Sequence, residues 1–136
     1  MMLEIALAVG QILVATEKSH DPDLGKSVVL VIHSDSDGVM GLILNRRRDK
    51  SKYFGGPIPL GTRALSRKKA EQILPGVYMS AGTNDPTARI YEGYAGWSPQ
   101  QLTDEISRGL WKVIPGTAAM VFDPHPETLW PRLRQK

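Results

Sequence analysis

The sequence predicts a single domain, residues 1–136, that combines β-strands with a few helices in an α/β or α+β fold. Three observations support this fold class. A chain of 136 residues is long enough to bury one apolar core. Two apolar runs flank the pair Asp37-Gly38, which is typical of a β-hairpin. A helix that begins after Ser98 carries its own start signals in the sequence.

The first three strands are predicted from short runs rich in β-branched residues. These runs are GQILVAT at residues 10–16, SVVLVIH at 27–33 and VMGLILN at 39–45. Because glycine and aspartate tolerate a positive φ, Asp37 and Gly38 are expected to form the tip between the second and third strands.

The second strand is apolar on both sides. Alternation along a strand places Val28, Leu30 and Ile32 on one face and Val29 and Val31 on the other. We therefore expect both faces of the sheet to be at least partly covered.

Later elements are predicted from weaker signals. Tyr53–Pro57 is predicted as a rigid turn, and residues 64–74 as a strand end followed by a polar connection. Two further strands are predicted at 77–80 and 89–97. Runs at 110–114 and 118–122 are predicted to pair across Pro115-Gly116. The C-terminal segment HPETLWPRLRQK is predicted as a short helix, since Pro126 stands near its start and Pro131 limits it.

The helix start after Ser98 is the best specified element. Ser98 suits the N-cap, and Pro99 suits the first helical position, where a missing N–H costs nothing. Gln101 completes the spacing of a capping box, and Trp97 with Leu102 has the spacing of a hydrophobic staple. We therefore interpret Trp97 first as part of a structural corner.

Composition and the chain start restrict the class of protein. The sequence has no cysteine, which excludes disulfides, thiolate metal sites and a cysteine nucleophile. It contains no apolar run long enough for a transmembrane helix. The opening MMLEIALAVG lacks a basic leader, so a secretory signal is not expected. Together these features predict a cytoplasmic protein without a membrane partner.

The motifs of common catalytic and cofactor sites are missing from the sequence. There is no G-x-G-x-x-G or Walker-type glycine loop, no G-x-S-x-G elbow, and no pair of histidines with helical metal spacing. We predict no catalytic residue, no cofactor and no metal ion. A non-enzymatic binding protein is the preferred interpretation.

A basic segment is the most prominent candidate for a binding surface. Residues 46–69 hold nine basic residues and one acid. Tyr53 and Phe54 directly follow the densest run, so bases could stack beside phosphate contacts. A solvated loop remains the simpler interpretation, since the sequence contains no recognised nucleic-acid-binding motif. The residues predicted to meet an anionic partner, with nucleic acid as the first candidate, are Arg46, Arg47, Arg48, Lys50 and Lys52.

A pocket between FGGP and GYAGW is the alternative functional interpretation. Paired glycines allow a ligand to approach the backbone, and two aromatic side chains could hold a planar molecule. The protein would then be a small-molecule sensor or an enzyme. The residues of this possible pocket are Asn45, Phe54, Gly55, Gly56, Tyr94 and Trp97.

Seven short segments in order, from Gly10 to Trp130, give the chain a family resemblance. They are GQILVAT, SVVLVIH, GLILN after a DG turn, FGGP, GYAGW followed by QL, the spacing E-x-x-x-G-x-W, and VFD…LW. Together they resemble the AlgH/YqgE family of bacterial proteins. The resemblance implies one domain with a curled, largely antiparallel sheet, a few outer helices and a cytoplasmic location. It implies no reaction, and some members carry the label of transcriptional regulator.

The sequence departs from the family pattern at three points. Arg47 stands where members have proline after Asn-Arg, and Glu17 replaces the proline after the first strand. Only eleven residues, 46–56, fill a space that usually holds a longer segment with a helix. The chain is therefore expected to be a shortened member, and the sequence leaves its oligomeric state open.

Overall fold

The computed structural model describes residues 7–134. The prediction about the chain start falls mostly on residues 1–6, outside this range, as do the last two residues of the C-terminal segment. Within residues 7–134 the chain forms nine strands and three short helices. The strands are β1 (Gln11–Ala15), β2 (Val28–Asp35), β3 (Gly38–Ile43), β4 (Lys52–Phe54), β5 (Ile58–Ser66), β6 (Glu71–Leu74), β7 (Val77–Ser80), β8 (Arg89–Trp97) and β9 (Trp111–Pro115). The helices are α1 (Pro99–Ser107), α2 (Ala118–Val121) and α3 (Leu129–Leu133).

All strands belong to one curled sheet, so the predicted fold class is confirmed. The strand order is β6-β7-β5-β8-β3-β2-β1-β9. β4 lies off this path and pairs in parallel with the first half of β8, whereas every other pairing is antiparallel. The last residues of β8 pair with β3. One edge of β8 is therefore shared between β3 and β4.

Apolar cores lie on both faces of the sheet, as the alternation in β2 predicts. Val28, Leu30 and Ile32 belong to the front core, which includes buried residues of α2 and α3. Val29 and Val31 belong to the back core, which includes Leu102 of α1 and residues of β1, β3, β8 and β9. Both sets are 5% exposed or less, because each face is covered by its own helices.

The hairpin between β2 and β3 is confirmed, but its predicted tip is wrong by one residue. The two unpaired residues are Ser36 and Asp37, and Gly38 already pairs with Asp35. The Oδ1 atom of Asp35 accepts bonds from the N–H groups of Asp37 at 2.8 Å and Gly38 at 3.1 Å. The carboxylate closes the turn, so neither residue needs a positive φ. The bond from the Asp37 N–H lowers the pKa of Asp35, and a second bond, with the side chain of His33, lowers it further.

The predicted strand at residues 118–122 is wrong, because Ala118–Val121 is the helix α2. Thr117 starts it by accepting a bond from the Met120 N–H at 3.2 Å. The strand β9 pairs instead with β1, its neighbour at one end of the sheet. A four-residue apolar run fits a buried helical turn as well as a strand, so tertiary contacts determine which forms.

The middle of the chain is more regular than predicted. The strand end predicted within 64–74 is the end of β5 at Ser66, and a connection follows at 67–70, but Glu71–Leu74 is the strand β6, which the sequence did not predict. The predicted turn at Tyr53–Pro57 is instead the end of β4 followed by an extended pair, Gly55-Gly56. The N–H of Gly55 donates to the Glu92 carbonyl, and its carbonyl accepts from Ile43. Gly55 therefore bridges β8 and the end of β3.

The helix α1 begins as predicted, with Ser98 accepting from the Gln101 N–H at 3.1 Å and Pro99 at the first position. The capping box is only half formed, since the Gln101 side chain donates to Glu105 at 3.1 Å. Trp97 and Leu102 lie in the same core, as the staple spacing predicts. Gly109 ends the helix with φ +77°.

Tyr91 of β8 carries a buried hydroxyl group. Its ring stacks on Tyr53 with centroids 5.1 Å apart. Within residues 7–134 its Oη atom has no hydrogen-bond partner. The neighbouring Arg89 donates from both terminal nitrogens to the carbonyls of Val121 and Asp123. Burial raises the pKa of the Tyr91 phenol above its usual range, so the hydroxyl stays neutral.

Replacement of Tyr91 by phenylalanine is expected to raise the free energy of unfolding by about 1 kcal/mol, because it removes an unsatisfied buried polar atom. Urea unfolding followed by circular dichroism measures the change. Tyr78→Phe, at a half-buried position, is the matched control and should leave stability unchanged. A loss of stability in Tyr91→Phe would mean that the hydroxyl has a partner in solution.

Candidate functional site

The basic loop, defined here as Arg46–Lys52, connects β3 to β4 and is held in one conformation by Asp49. The Oδ1 atom of Asp49 accepts from the N–H groups of Ser51 at 2.8 Å and Lys52 at 2.9 Å. These bonds, that from Ser51 first, lower the pKa of Asp49. The N–H of Arg48 also donates to the Lys52 carbonyl at 3.0 Å. The loop therefore presents its cations from a fixed backbone.

Alternation divides the arginines of the loop between the two faces of the sheet. The guanidinium of Arg47 lies 4.8 Å from the ring centroid of Tyr53, a front-core residue. The guanidinium of Arg46 lies 5.8 Å from the ring centroid of Phe54, which packs against the back core. Arg47 thus shields the front core, while Arg46 lies on the opposite side.

Asn45 and Arg46 hold the loop that precedes β2. Asn45 accepts from the Val28 N–H and donates to the Lys26 carbonyl, both at 2.9 Å. Arg46 donates to the carbonyls of Asp23 and Gly25. These bonds occupy both side chains, so Asn45 and Arg46 have structural roles in this arrangement.

Arg48 and Lys52 share one carboxylate, that of Glu92 in β8. The Arg48 Nε and the Lys52 Nζ lie 3.5 Å and 3.8 Å from the Glu92 Oε1. The two cationic side chains are 55% and 45% exposed, and that of Glu92 is 33% exposed. Since Lys50 is also exposed, these three cations are accessible to a partner, and Arg47 is exposed beside Tyr53 on the front side.

These cations border a part of the sheet that we call the open face. It is the back side of β4, the first half of β8, β5 and β7. The register places Lys52 beside Ile90, Ile90 beside Ala64, and Ala64 beside Ser80. The buried residues of the back core include none from β5, β6 or β7. The helix α1 therefore does not reach β5 and β7, although Ala64 and Ser66 on this side are only 1% and 5% exposed.

Tyr78 is the aromatic side chain of the open face that packs in neither core. Tyr78 pairs with Ser66 in β5 and with Gln72 in β6. Its neighbours along β7, Val77 and Met79, belong to or pack against the front core, so alternation puts Tyr78 on the opposite side. Tyr78 and Ile90 are both half-buried and belong to neither core.

The backbone of β8 fills the space beside Gly55 and Gly56. A Cβ on Gly55 would lie 2.3 Å from the Gly93 carbonyl oxygen, and one on Gly56 would lie 2.0 Å from the Tyr94 carbonyl carbon. These glycines permit a close packing of two backbones. Asn45, Phe54 and the two glycines line none of the cavities described below.

Tyr94 and Trp97, the other two residues of the predicted pocket, do line a common groove of about 390 Å³. Met40 and Ile58 contribute apolar walls, and His33 lies at the rim. The Nε2 atom of His33 is 2.6 Å from an Asp35 carboxylate oxygen.

Trp97 also has a clear structural role at its corner. It is 5% exposed, and its ring meets that of Trp111 edge to face with centroids 5.8 Å apart. The indole N–H groups of Trp97 and Trp111 both donate to the Oε1 of Glu105, at 3.3 Å and 2.8 Å. The spacing E-x-x-x-G-x-W thus places one carboxylate between two buried indoles.

Sequence reasoning missed the roles of Glu92, Tyr78 and Ile90. The alternation in VYMS is a signal for Tyr78, but which face it occupies depends on the neighbouring strands.

Within residues 7–134, no cluster of three or more acidic or histidine side chains could hold a metal ion. No helix in that range is long and apolar enough to cross a membrane.

Comparison with known proteins gives matches over nearly the whole chain. The model of a family described as AlgH-like matches residues 12–136. A UPF0301 protein of Methylococcus capsulatus is 31% identical over 159 aligned residues, which cover 89% of this chain and 86% of the relative. A UPF0301 protein of Streptomyces coelicolor is 30% identical over 166 residues, covering 95% and 86%. Since the alignments are longer than this chain, the relatives carry additional residues inside the matched region.

Two solved structures share the fold. A protein from Corynebacterium diphtheriae superposes with a TM-score of 0.83 at 23% identity, over 99% of this chain and 90% of its own. The AlgH protein from Pseudomonas aeruginosa superposes with a TM-score of 0.71 at 22% identity, over 97% and 90%. At these identities the likeness concerns the fold alone.

Proposed function

This chain belongs to the AlgH-like family as a shortened member, and from that premise we propose that it acts by binding an anionic polymer, single-stranded nucleic acid, on its open face. In this proposal the protein is non-enzymatic and meets its partner in the cytoplasm, where a regulatory role fits the label carried by some relatives. The accessible cations Arg48, Lys50 and Lys52 contact phosphates, and Tyr78 supplies a stacking surface.

The observation that carries the proposal is the position of the accessible cations beside a part of the sheet that α1 does not cover. Phosphate contacts supply most of the affinity in non-specific nucleic-acid binding, and stacking on aromatic side chains adds to it for single strands. A sheet surface that presents a half-buried tyrosine on the same side as these cations offers both contributions. Duplex DNA offers no free base faces, so the open face favours a single strand.

Glu92 limits the affinity of this site for an anion, and replacement of Glu92 tests the site. Its carboxylate neutralises part of the charge of Arg48 and Lys52 in the free protein. A phosphate that approaches these two cations competes with Glu92. Replacement of Glu92 by glutamine is therefore expected to tighten binding, whereas removal of the cations weakens it.

The double variant Arg48→Gln/Lys52→Gln is expected to bind a short single-stranded oligonucleotide at least about tenfold more weakly at low salt. Fluorescence anisotropy measures the affinity. With three phosphate contacts, the wild-type log K should fall against log salt with a slope of about −2, and loss of two contacts should bring the slope close to −0.7. Stability should change little, since exposed ion pairs contribute little to it.

The matched control is Arg108→Gln/Arg132→Gln, which removes two exposed charges away from both the open face and the cavity described below. It should bind as the wild type does. Equal weakening in both double variants would mean that only net charge matters, and that result would contradict the proposed site. Tighter binding of duplex than of single strands would contradict the role of Tyr78. An absence of binding at tens of micromolar protein would leave the basic loop as a solvated connection.

The groove beside Tyr94 and Trp97 supports the second candidate, a small-molecule sensor or enzyme. The observation that favours this candidate is that the groove combines apolar walls with a polar rim formed by His33 and Asp35. A thermal-shift screen of metabolites, with Ile58→Trp as the variant that fills the groove, distinguishes this candidate. A ligand that stabilises the wild type but not that variant would favour it.

A further inference from the structure

A second concave site lies at the other end of the sheet, where β1 ends and β9 begins. This β1–β9 cavity has a volume of about 740 Å³, within the range of small-molecule sites. In the sheet, β3 and β2 separate it from β8, so it is distinct from the open face. Its polar lining comes from Thr16, Glu17, Lys18, Lys112 and Arg134.

The C-terminal helix closes one side of the cavity. The Trp130 indole N–H donates to the Ala15 carbonyl at 2.7 Å, which fixes α3 against β1. The guanidinium of Arg134 lies 4.8 Å from the ring centroid of Trp130 and pairs with Glu17. Arg134 is therefore held at the wall by an aromatic ring on α3 and by a carboxylate beyond the end of β1.

Two lysines reach the same cavity from different segments. The Nζ of Lys112, on β9, donates to the Leu133 carbonyl at 3.3 Å. The Nζ of Lys18 would lie 3.4 Å from a Cβ on Gly109, so the glycine leaves room for that side chain. With Arg134, three cations line one cavity in which Glu17 is the single carboxylate.

Arg134 also has an unsatisfied donor. Its Nε atom is shielded from solvent and has no hydrogen-bond partner within residues 7–134. Because that atom is shielded, an anion in the cavity would meet the exposed part of the guanidinium, whose side chain is 30% exposed, rather than Nε. The planar guanidinium suits phosphate oxygens, while lysine nitrogens add charge from other directions.

We propose that the β1–β9 cavity binds a small phosphate-bearing anion. Lys18, Lys112 and Arg134 contact the phosphate oxygens, and the remaining volume holds the rest of the molecule. Glu17 opposes the ligand, because it pairs with Arg134 and repels negative charge. Glu17 is 72% exposed, so its removal can change binding without disturbing the core.

Isothermal titration calorimetry with pyrophosphate tests the site in the full chain. We expect saturable binding of one pyrophosphate per chain in about 50 mM salt, where surface charges are only partly screened. Lys18→Met and Lys112→Met should each weaken binding about tenfold, since each removes a charge-assisted hydrogen bond. Glu17→Gln should tighten binding about two- to fivefold, since it removes a competing carboxylate.

Lys69→Met is the matched control, because it removes an exposed cation outside both proposed sites and should leave pyrophosphate binding unchanged. Oligonucleotide binding should in turn be unchanged in Lys112→Met, so the two sites can fail independently. Absence of saturable binding, equal weakening by Lys69→Met, or weaker binding by a folded Glu17→Gln variant would each overturn the proposal. Lys18 is exposed, so Lys18→Met remains informative if Lys112→Met unfolds.

Discussion

Replacement of Gly56 by alanine is expected to lower the free energy of unfolding by about 3 kcal/mol or more, at the upper end of the cost of overpacking. A Cβ at this position would lie 2.0 Å from the Tyr94 carbonyl carbon and 2.3 Å from the Ala95 nitrogen. Both atoms belong to the backbone of β8, which is paired with β5 and β3. No side chain can rotate away, so a strand would have to move.

Gly82→Ala is the matched control for this measurement. A Cβ there would meet no atom within 4 Å, and the residue has no positive φ. Its stability should therefore equal that of the wild type within about 0.5 kcal/mol. Urea unfolding of both variants measures the difference. If Gly56→Ala were as stable as Gly82→Ala, β8 could separate from the Gly55-Gly56 segment, and a cavity could open between FGGP and GYAGW.

Replacement of Trp97 by alanine is expected to lower the free energy of unfolding by about 3–5 kcal/mol, the usual cost of removing a buried indole. The ring is almost fully buried, packs edge to face on Trp111 and donates to Glu105. Its removal leaves a cavity between β8 and α1. Equilibrium unfolding in urea, followed by far-ultraviolet circular dichroism, measures the loss.

Trp97→Phe is the informative second variant. It retains much of the apolar contact and loses the bond to Glu105, so its loss of stability should be well below that of Trp97→Ala. A loss below about 0.5 kcal/mol for Trp97→Ala would contradict the structural role, since such a value is typical of surface substitutions. Trp97 would then be a ligand-contacting residue of the groove that it shares with Tyr94.

The candidate surface illustrates which part of a site can be predicted from sequence. The charge of the basic loop is evident from the residues alone. The engagement of Arg46 by the carbonyls of Asp23 and Gly25 is not, because those partners lie over twenty positions earlier in the chain. The same applies to Glu92, which faces Arg48 and Lys52 only because β4 pairs with β8. Accessible charge therefore depends on the register of distant strands.

The sequence by itself determined the elements whose signals are local. The alternation in β2 requires two covered faces, and Ser98-Pro99 starts α1 where the residues predict. Only the tertiary structure decided that Ala118–Val121 is a helix, that β4 runs parallel to β8, and that Tyr78 lies on the part of the sheet that α1 does not cover. Short apolar runs are compatible with either a strand or a helical turn, and strand register depends on contacts between residues far apart in the chain. Such contacts become favourable only when the whole sheet assembles, so no local pattern specifies them.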